Sequence, residues 1–350
     1  MGAINLDNTG SGSSITLSSD GTSLLLGGSA VGGGGGADLY AANESSPGAQ
    51  PSATGTNSVS IGDGAVSSGE DSLAGPNSRA TATGAFAAAL SNNSATYGAQ
   101  GQYSVALGER SKASGYASVA LAHGTATGDL SMAVNTSNSG YASNGNSFAF
   151  GSGCQASQNP SISLGSECTS SGQASVSLGT RCESSGVGSF SCGSGGKAQV
   201  AGKFAFGGTR FTVNGDSQSA KYLMKKSTTD ATSAEMVAGY DGSSVYENRV
   251  MTLENYSAHA FEGRVVARQK GSEGTDCAAW NVAGLIRREA NAASTTLVTS
   301  TVTTISNTPS WTLSLSANTS VGSLAVTVAG ASSHTLRWTS DIDCTEIIYS

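Results

Sequence analysis

A 14-residue repeat in the middle of the sequence constrains the fold more than any other feature. A five-residue motif, exemplified by Ser175-Val-Ser-Leu-Gly179, starts at residues 147, 161, 175, 189 and 203. Related copies begin at Ser58, Ser104 and Ser118. The phase slips around residues 85–103 and 131–146, where we expect loops or irregular turns. Because self-similarity at a fixed period is the signature of repeat architectures, the sequence predicts a solenoid.

Each repeat is predicted to form two short strands separated by glycine turns. Val176 and Leu178 are two positions apart, so a strand places both side chains on one face. Gly179 supplies a turn, a second strand of small residues follows at Cys182-Glu-Ser184, and Gly186 closes the unit. A helix would need apolar residues at three- and four-residue spacing and would be weakened by the repeated glycines. We therefore predict one coil of a β-roll per repeat.

Coils this thin predict an oligomer. Two large apolar side chains per coil bury too little surface to offset the entropy of ordering fourteen residues. Three coils around a common axis would share their apolar faces, and threefold symmetry is the simplest closed arrangement for a shaft. The residues that we predict in the trimer and solenoid core are Val59, Ile61, Val105, Leu107, Val119, Leu121, Phe148, Phe150, Ile162, Leu164, Val176, Leu178, Phe190, Phe204 and Phe206.

Composition and charge exclude several classes of partner. Of the 350 residues 48 are glycine and only 12% are charged, with five prolines, which fits a narrow solenoid core better than disorder. The net charge of −7 and the lack of a basic stripe argue against nucleic acid binding. No apolar stretch approaches the ~20 residues of a membrane helix, so we expect no membrane insertion. The opening Met1-Gly-Ala carries no secretory signal, so we expect cytoplasmic synthesis with reduced thiols.

A search for catalytic chemistry predicts no catalytic, metal-binding or cofactor-binding residue, and we expect the protein not to be an enzyme. Ser194-Gly-Gly-Lys197 matches a nucleophile motif, S-x-x-K, that a Ser/Gly-rich array produces by accident. Asp341, Asp343 and Glu346 would suit a polysaccharide-cleaving site or a cation, but a solvated strand end is the favoured interpretation.

Three of the six cysteines occupy the same position in successive repeats. Cys154, Cys168 and Cys182 are 14 residues apart, so they should stack at the spacing of neighbouring strands, ~4.8 Å. A disulfide is conceivable at that separation. The favoured interpretation is that the small thiols fill a narrow core.

The two ends differ from the repeats. Residues 1–57 contain Ile15-Thr-Leu17 and Leu24-Leu-Leu26, which predict a hairpin or two strands, followed by a flexible joint at Gly32–Gly36. Residues 58–211 are assigned to the roll. Residues 212–350 carry all three tryptophans and show strand-like segments separated by turns, which predicts a C-terminal antiparallel β-sandwich knob. The predicted strands are 261–268, 280–286, 295–305, 311–315, 324–328, 335–338 and 346–349. The predicted fold class is therefore all-β.

The pattern S-V-x-[IL]-G, followed by a small-residue strand and S-G, resembles the head repeats of YadA-type trimeric adhesins over roughly residues 58–207. The resemblance implies a left-handed parallel β-roll trimer, a module that also occurs in phage fibres. The opening from Ile4 to Gly28 is similar to N-termini of phage fibre proteins, which implies virion attachment. The layout of the C-terminal part is similar to tail-fibre domains.

These observations predict a structural and adhesive fibre subunit of a phage virion, on tail or capsid. Its partners would be two further copies of the chain, other virion proteins through residues 1–57, and a host surface glycan or protein. The receptor-binding residues are expected within 212–350. Two alternatives stay open: a passenger fragment of a bacterial trimeric autotransporter adhesin, and a polysaccharide-degrading tailspike.

Overall fold

The computed structural model describes residues 49–89, 95–134, 140–239, 250–307 and 311–349, and the backbone of four short strands nearer the N-terminus. The described chain is almost entirely strand and turn, and within it the helical element is one 3₁₀ turn at Ala292–Ser294. The predicted all-β class is confirmed.

Four consecutive strands form a small antiparallel sheet near the N-terminus. They are β1 (Ile4–Asp7), β2 (Ser14–Ser19), β3 (Leu24–Leu26) and β4 (Ser29–Val31). The two strands predicted from the sequence coincide with β2 and β3. The predicted joint at Gly32–Gly36 lies outside the described residues.

The repeat region forms a parallel β-solenoid with two sheets, as predicted. One, the back sheet, contains the small-residue strands. Its members are β5 (Ser52–Ala53), β7 (Val66–Ser67), β9 (Arg79–Ala80), β11 (Gly98–Ala99), β13 (Lys112–Ala113), β15 (Thr125–Ala126), β17 (Tyr141–Ala142), β19 (Gln155–Ala156), β21 (Thr169–Ser170), β23 (Glu183–Ser184) and β25 (Lys197–Ala198).

The other, the front sheet, contains the strands with two large apolar residues. Its members in the roll are β6 (Val59–Ser60), β8 (Leu73–Ala74), β10 (Phe86–Ala88), β12 (Val105–Leu107), β14 (Val119–Leu121), β16 (Met132–Val134), β18 (Phe148–Phe150), β20 (Ser161–Ser166), β22 (Ser175–Thr180), β24 (Phe190–Ser194) and β26 (Phe204–Gly207). Neighbouring strands pair in exact sequence register, for example Val176 with Ile162 and Phe190.

The array continues through both phase slips. Phe86 pairs with Val105 and Met132 pairs with Phe148, so the extra residues lie between paired strands and leave the register intact. Parts of these insertions, 90–94 and 135–139, lie outside the described residues.

The first and last residues of the repeat motif form the turns of each coil. In the coils that begin at Ser118, Ser147, Ser175 and Ser189, the leading serine hydroxyl donates to the carbonyl three residues earlier at 2.6 to 2.8 Å. The closing glycine has positive φ, 126° at Gly179, and a Cβ there would lie 2.1 Å from the Gly193 oxygen of the next coil. Only glycine allows coils to approach this closely.

The C-terminal part forms two antiparallel sheets packed as a sandwich. Its strands are β27 (Ser217–Thr228), β28 (Ala234–Glu235), β29 (Met251–Thr252), β30 (Ser257–Gln269), β31 (Cys277–Arg288), β32 (Thr296–Asn307), β33 (Thr312–Asn318), β34 (Ser323–Ala329) and β35 (Leu336–Ile348). Residues 335–338 and 346–349, predicted as two strands, belong to the single strand β35 and its flanks. Between them the pattern alternates buried and exposed residues without a turn.

The larger C-terminal sheet is an extension of the front sheet. Strand β27 pairs antiparallel with β26, and the order continues β27–β35–β30–β31–β32. The smaller sheet comprises β28, β29, β33 and β34. The core between them is built around Trp280, Trp311 and Trp338, all at most 3% exposed.

The open edge of the back sheet is closed by a side chain. The Gln218 amide accepts from the Lys197 backbone N–H at 2.8 Å and donates to the Lys197 carbonyl at 3.0 Å. The amide therefore takes the place of a further strand, and the last coil offers fewer free groups for pairing with another chain.

Candidate functional site

The interior of the roll is filled by small residues. Alanine, serine and cysteine occupy the inward positions of both sheets, as Ala106, Ala120 and Ser177 do, with no exposed surface. Since side chains alternate between the faces of a strand, the large residues on either side of these positions point outward. A core only a few side-chain atoms wide has no room for them.

The predicted core residues of the roll form an outer stripe along the front sheet. We use outer stripe for the fifteen residues named in Sequence analysis. None of them is buried in the single chain, and Phe204, Phe206 and Leu178 are 44%, 51% and 40% exposed. The rings of Phe190 and Phe204 stack with centroids 5.1 Å apart. Their packing against other chains stays a prediction.

The three stacked cysteines lie inside the roll. Cys154, Cys168 and Cys182 have no exposed surface and are free thiols. Cys168 donates to the Gly179 carbonyl and Cys182 to the Gly193 carbonyl, at 3.2 and 3.4 Å. Hydrogen bonding with both neighbouring thiols, together with burial, raises the pKa of Cys168. The hydrogen bond with Cys168 in turn lowers the pKa of Cys154 to about 6 and that of Cys182 to about 7, so the three thiols form one hydrogen-bonded group in which Cys168 keeps its proton.

A buried charge cluster joins the last coil to the sandwich. Glu346 on β35 accepts from Lys203 Nζ at 2.8 Å and from the Tyr222 hydroxyl and Gln218 amide, each at 2.5 Å. Lys203 comes directly before β26, whereas Tyr222 and Gln218 lie on β27. All four side chains are at most 8% exposed. The carboxylate is therefore the common acceptor at the junction.

Electrostatics keep this carboxylate ionised. Burial alone would raise the pKa of Glu346, but the Lys203 charge and the hydrogen bonds lower it to about 2. His259, whose Nδ1 lies 3.9 Å from Glu346 Oε1, has a lowered pKa because it is buried. At neutral pH the junction therefore holds one ammonium, one carboxylate and a neutral imidazole.

A cavity of about 400 Å³ opens beside this cluster. Glu346, Lys203, His259 and Gln218 line one side of it, and Arg288 lies at another. Such a volume is within the range of small-molecule sites. Sequence reasoning missed this site, since its lining comes from segments as far apart in the sequence as Ser185 and Ile348.

The predicted carboxylate cluster is divided between two faces. Asp341 and Asp343 are exposed and pair with Lys221 at 3.0 and 3.2 Å, while Glu346 points into the junction. The sequence could have shown this division, because successive residues of a strand point to opposite faces. Glu346 is an even number of residues from the buried Ile342 and Cys344 and so lies on their face of β35. The solvated-strand interpretation therefore suits the aspartates alone.

The three histidines lie in separate places. His123 is 3.4 Å from Glu109 in the roll, and His334 accepts from Trp311 Nε1 at 3.3 Å. Only His259 lies with other titratable groups in a cavity.

Comparison with known proteins supports the repeat assignment. The family model for the YadA head domain repeat matches twice, at residues 53–74 and 99–121. The resemblance inferred from the sequence is confirmed, and the chain carries YadA head repeats in a fibre-like β-solenoid. No curated protein matches the sequence. In the part of the chain that the structure describes, no helix is long and apolar enough to span a membrane.

One solved structure with a similar backbone is tailspike protein gp49 of Acinetobacter baumannii bacteriophage Fri1, a capsular polysaccharide depolymerase. The two sequences are 11% identical, the TM-score is 0.20, and the alignment covers 69% of this chain and 39% of the tailspike. The chain thus spans about two fifths of that protein.

The sequence-based prediction that the protein is not an enzyme is contradicted by this comparison, because the tailspike is an enzyme. We withdraw that prediction. A TM-score of 0.20 assigns no activity to this chain.

Proposed function

We propose that the chain is one of three identical subunits of a fibre on a phage virion, and that the fibre attaches the particle to its host. Residues 1–57 would bind other virion proteins, residues 58–211 would form the trimeric shaft, and residues 212–350 would contact the host surface. Three copies of a weak binding surface on one particle would give avidity.

The outer stripe is the observation that carries this proposal. It lies on eight of the eleven roll strands of the front sheet, is uncharged, and leaves aromatic and aliphatic side chains such as Phe206 and Leu178 about half exposed. Exposed apolar patches of this extent mark interaction surfaces. A rod that repeats the same face on every coil can bury it against two copies of itself around a common axis. The presence of YadA head repeats supports the same arrangement.

Light scattering on the full chain tests the assembly. We expect three times the 34.5 kDa chain mass. Leu178→Ser should weaken the trimer, seen as dissociation at lower urea concentration. Val187→Ser is the matched control, because Val187 is 50% exposed and lies in a turn outside the outer stripe. A monomeric wild-type protein, or equal effects of the two substitutions, would contradict the trimer.

Adsorption competition tests the attachment role. Purified protein should occupy host receptors and reduce phage adsorption, and saturating protein without any reduction would argue against host binding. Release of reducing sugar from host polysaccharide, measured in the same samples, would establish the tailspike alternative instead.

A further inference from the structure

The junction cavity has features of a ligand site that the buried charge cluster does not explain. It lies between the last coil of the roll and the sandwich. Lys197 and Lys203 line it from the roll, His259 and Arg288 from β30 and β31, and Glu254 from the segment before β30. These residues lie on or next to strands, so the backbone positions of the side chains that line the cavity are fixed.

The cavity carries an excess of positive charge. Its cations are Lys197, Lys203 and Arg288, and its carboxylates are Glu254 and Glu346. Lys203 pairs with Glu346 at 2.8 Å and Lys197 with Glu254 at 3.3 Å. Each carboxylate thus has its own lysine, and Arg288 is the cation left over. An anionic group on a ligand would balance that charge.

Arg288 leaves one donor of its guanidinium without a hydrogen bond in the described part of the chain. Nη1 donates to the Leu253 carbonyl at 2.7 Å, and a Cβ on Gly322 would lie 2.5 Å from the same atom, so the head group is held between these residues. Among the described residues, its buried Nε has no hydrogen-bond partner. Leaving a charged donor buried and unpaired is costly. The Nε edge of a guanidinium forms a planar fork that matches a carboxylate.

The remaining walls suit a hydroxylated ring. His259 is 2% exposed, and its Nδ1 is buried without a partner in the described structure. Gln199 and Ser185 stand exposed at the rim, where they can exchange hydrogen bonds with hydroxyl groups. Val200 and Leu253, which are 4% and 1% exposed, complete the lining of the cavity.

We propose that this cavity binds a carboxylate-bearing sugar of monosaccharide size, a uronic acid unit, with the carboxylate on Arg288 and the hydroxyls toward His259 and Gln199. The site goes beyond the proposed function, because it needs neither a trimer nor a virion.

Calorimetric titration of the full chain separates the two halves of this recognition. The first probe, glucuronate, carries both the carboxylate and the hydroxyls. Glucose carries the hydroxyls alone, and acetate carries the carboxylate alone. We expect glucuronate to bind at least about tenfold more tightly than glucose, which lacks the charge-assisted contact, and also more tightly than acetate, which lacks the hydroxyl contacts. The proposal would be overturned if glucuronate did not bind detectably. It would also be overturned if glucuronate bound no more tightly than glucose, or no more tightly than acetate.

Variants locate the binding in the cavity. Arg288→Gln should weaken glucuronate binding at least about tenfold, while Arg264→Gln, on the exposed outer face of the same sheet, should leave it unchanged. Because Arg288→Gln risks misfolding, Gln199→Ala provides a second test at an exposed rim position, where a several-fold loss is expected with unchanged circular dichroism. Binding that survives both substitutions would overturn the assignment. Lost adsorption competition with intact glucuronate binding would count against the proposed function alone.

Discussion

The roll and the sandwich share one sheet yet place their large apolar residues on opposite sides of it. In the sandwich, Trp280 and Trp338 are enclosed, with ring centroids 5.7 Å apart, between the two sheets of the same chain. In the roll, the enclosed residues are alanine, serine and cysteine, and Phe204 and Leu178 face outward. The sandwich therefore encloses its large apolar residues within one chain, whereas the roll leaves large apolar residues partly exposed, which is the surface that the proposed trimer would bury.

The difference follows from the distance between opposing sheets. Two full sheets pack about 10 Å apart, which accommodates large side chains from both inner faces. A coil of only fourteen residues with two glycine turns closes too tightly for that, so its interior accepts only small residues. Four predictions test this comparison, beginning with the largest expected effect.

The sandwich core should be the most sensitive region. Trp338→Ala removes a side chain that packs on Trp280 and donates to Thr228 at 3.0 Å. We expect a loss of about 3–5 kcal/mol in the free energy of unfolding, measured by urea denaturation followed by circular dichroism. Cys168→Ala in the roll core, which removes one sulfur atom, should cost about 1 kcal/mol. Equal losses would break the comparison.

The junction between the two regions should come next. Lys203→Met leaves Glu346 buried without its cation, and we expect a loss of about 3 kcal/mol in unfolding free energy. The matched control is Lys221→Met, whose pairs with Asp341 and Asp343 are exposed and should contribute under about 1 kcal/mol. If both lysines gave the same loss, the cluster would not couple the roll to the sandwich.

Substitution of glycines at the coil turns tests whether the close spacing of the coils requires glycine. Gly179→Ala would place a Cβ 2.1 Å from the Gly193 oxygen at a φ of 126°, and we expect a loss of at least about 2 kcal/mol. At Gly188, with a φ of 63°, a Cβ would meet nothing within 4 Å, so Gly188→Ala should cost about 1 kcal/mol. Thermal unfolding of both variants measures the difference, and a reversed order would show that coil spacing does not require glycine.

The fourth prediction is a pH dependence that arises at the junction. Both His259 and Glu346 have lowered pKa values in the folded chain, so the unfolded chain binds more protons as the pH falls. Stability should therefore decline as the pH drops below 6.5, the ordinary pKa of histidine, and again between 4.5 and about 2, where Glu346 titrates. His259→Gln should remove the first decline and keep the second in urea midpoints measured against pH. A midpoint that rose on acidification from pH 7 to 5 would contradict the assigned direction.

Local patterns in the sequence predicted much of this architecture. The two-residue spacing of Val176 and Leu178 predicts a strand, and Gly179 predicts the turn that ends it. The structure repeats this arrangement in successive coils. Alternation likewise predicted most C-terminal strands, although the twelve-residue strand β27 was missed because its lysines obscure the apolar pattern.

The junction site could not be found in the same way. Its groups are brought together by the pairing of β26 with β27 and of β27 with β35, and no local spacing encodes those contacts. The sequence pattern also did not predict that Phe204 points outward. Two apolar residues in alternation show that they share one face of the strand, but not whether that face points into or out of the coil. Only the size of Ala205 between Phe204 and Phe206 carried that information.

The continuous front sheet has a mechanical consequence. Backbone hydrogen bonds run from coil to coil and on through β26 and β27 into the sandwich, and the Lys203–Glu346 contact braces the same point. Rotating the sandwich relative to the roll would break these bonds together, so the two regions move as one rigid body without a hinge between them. The direction in which the C-terminal tip points is therefore fixed by the direction of the rod that carries it.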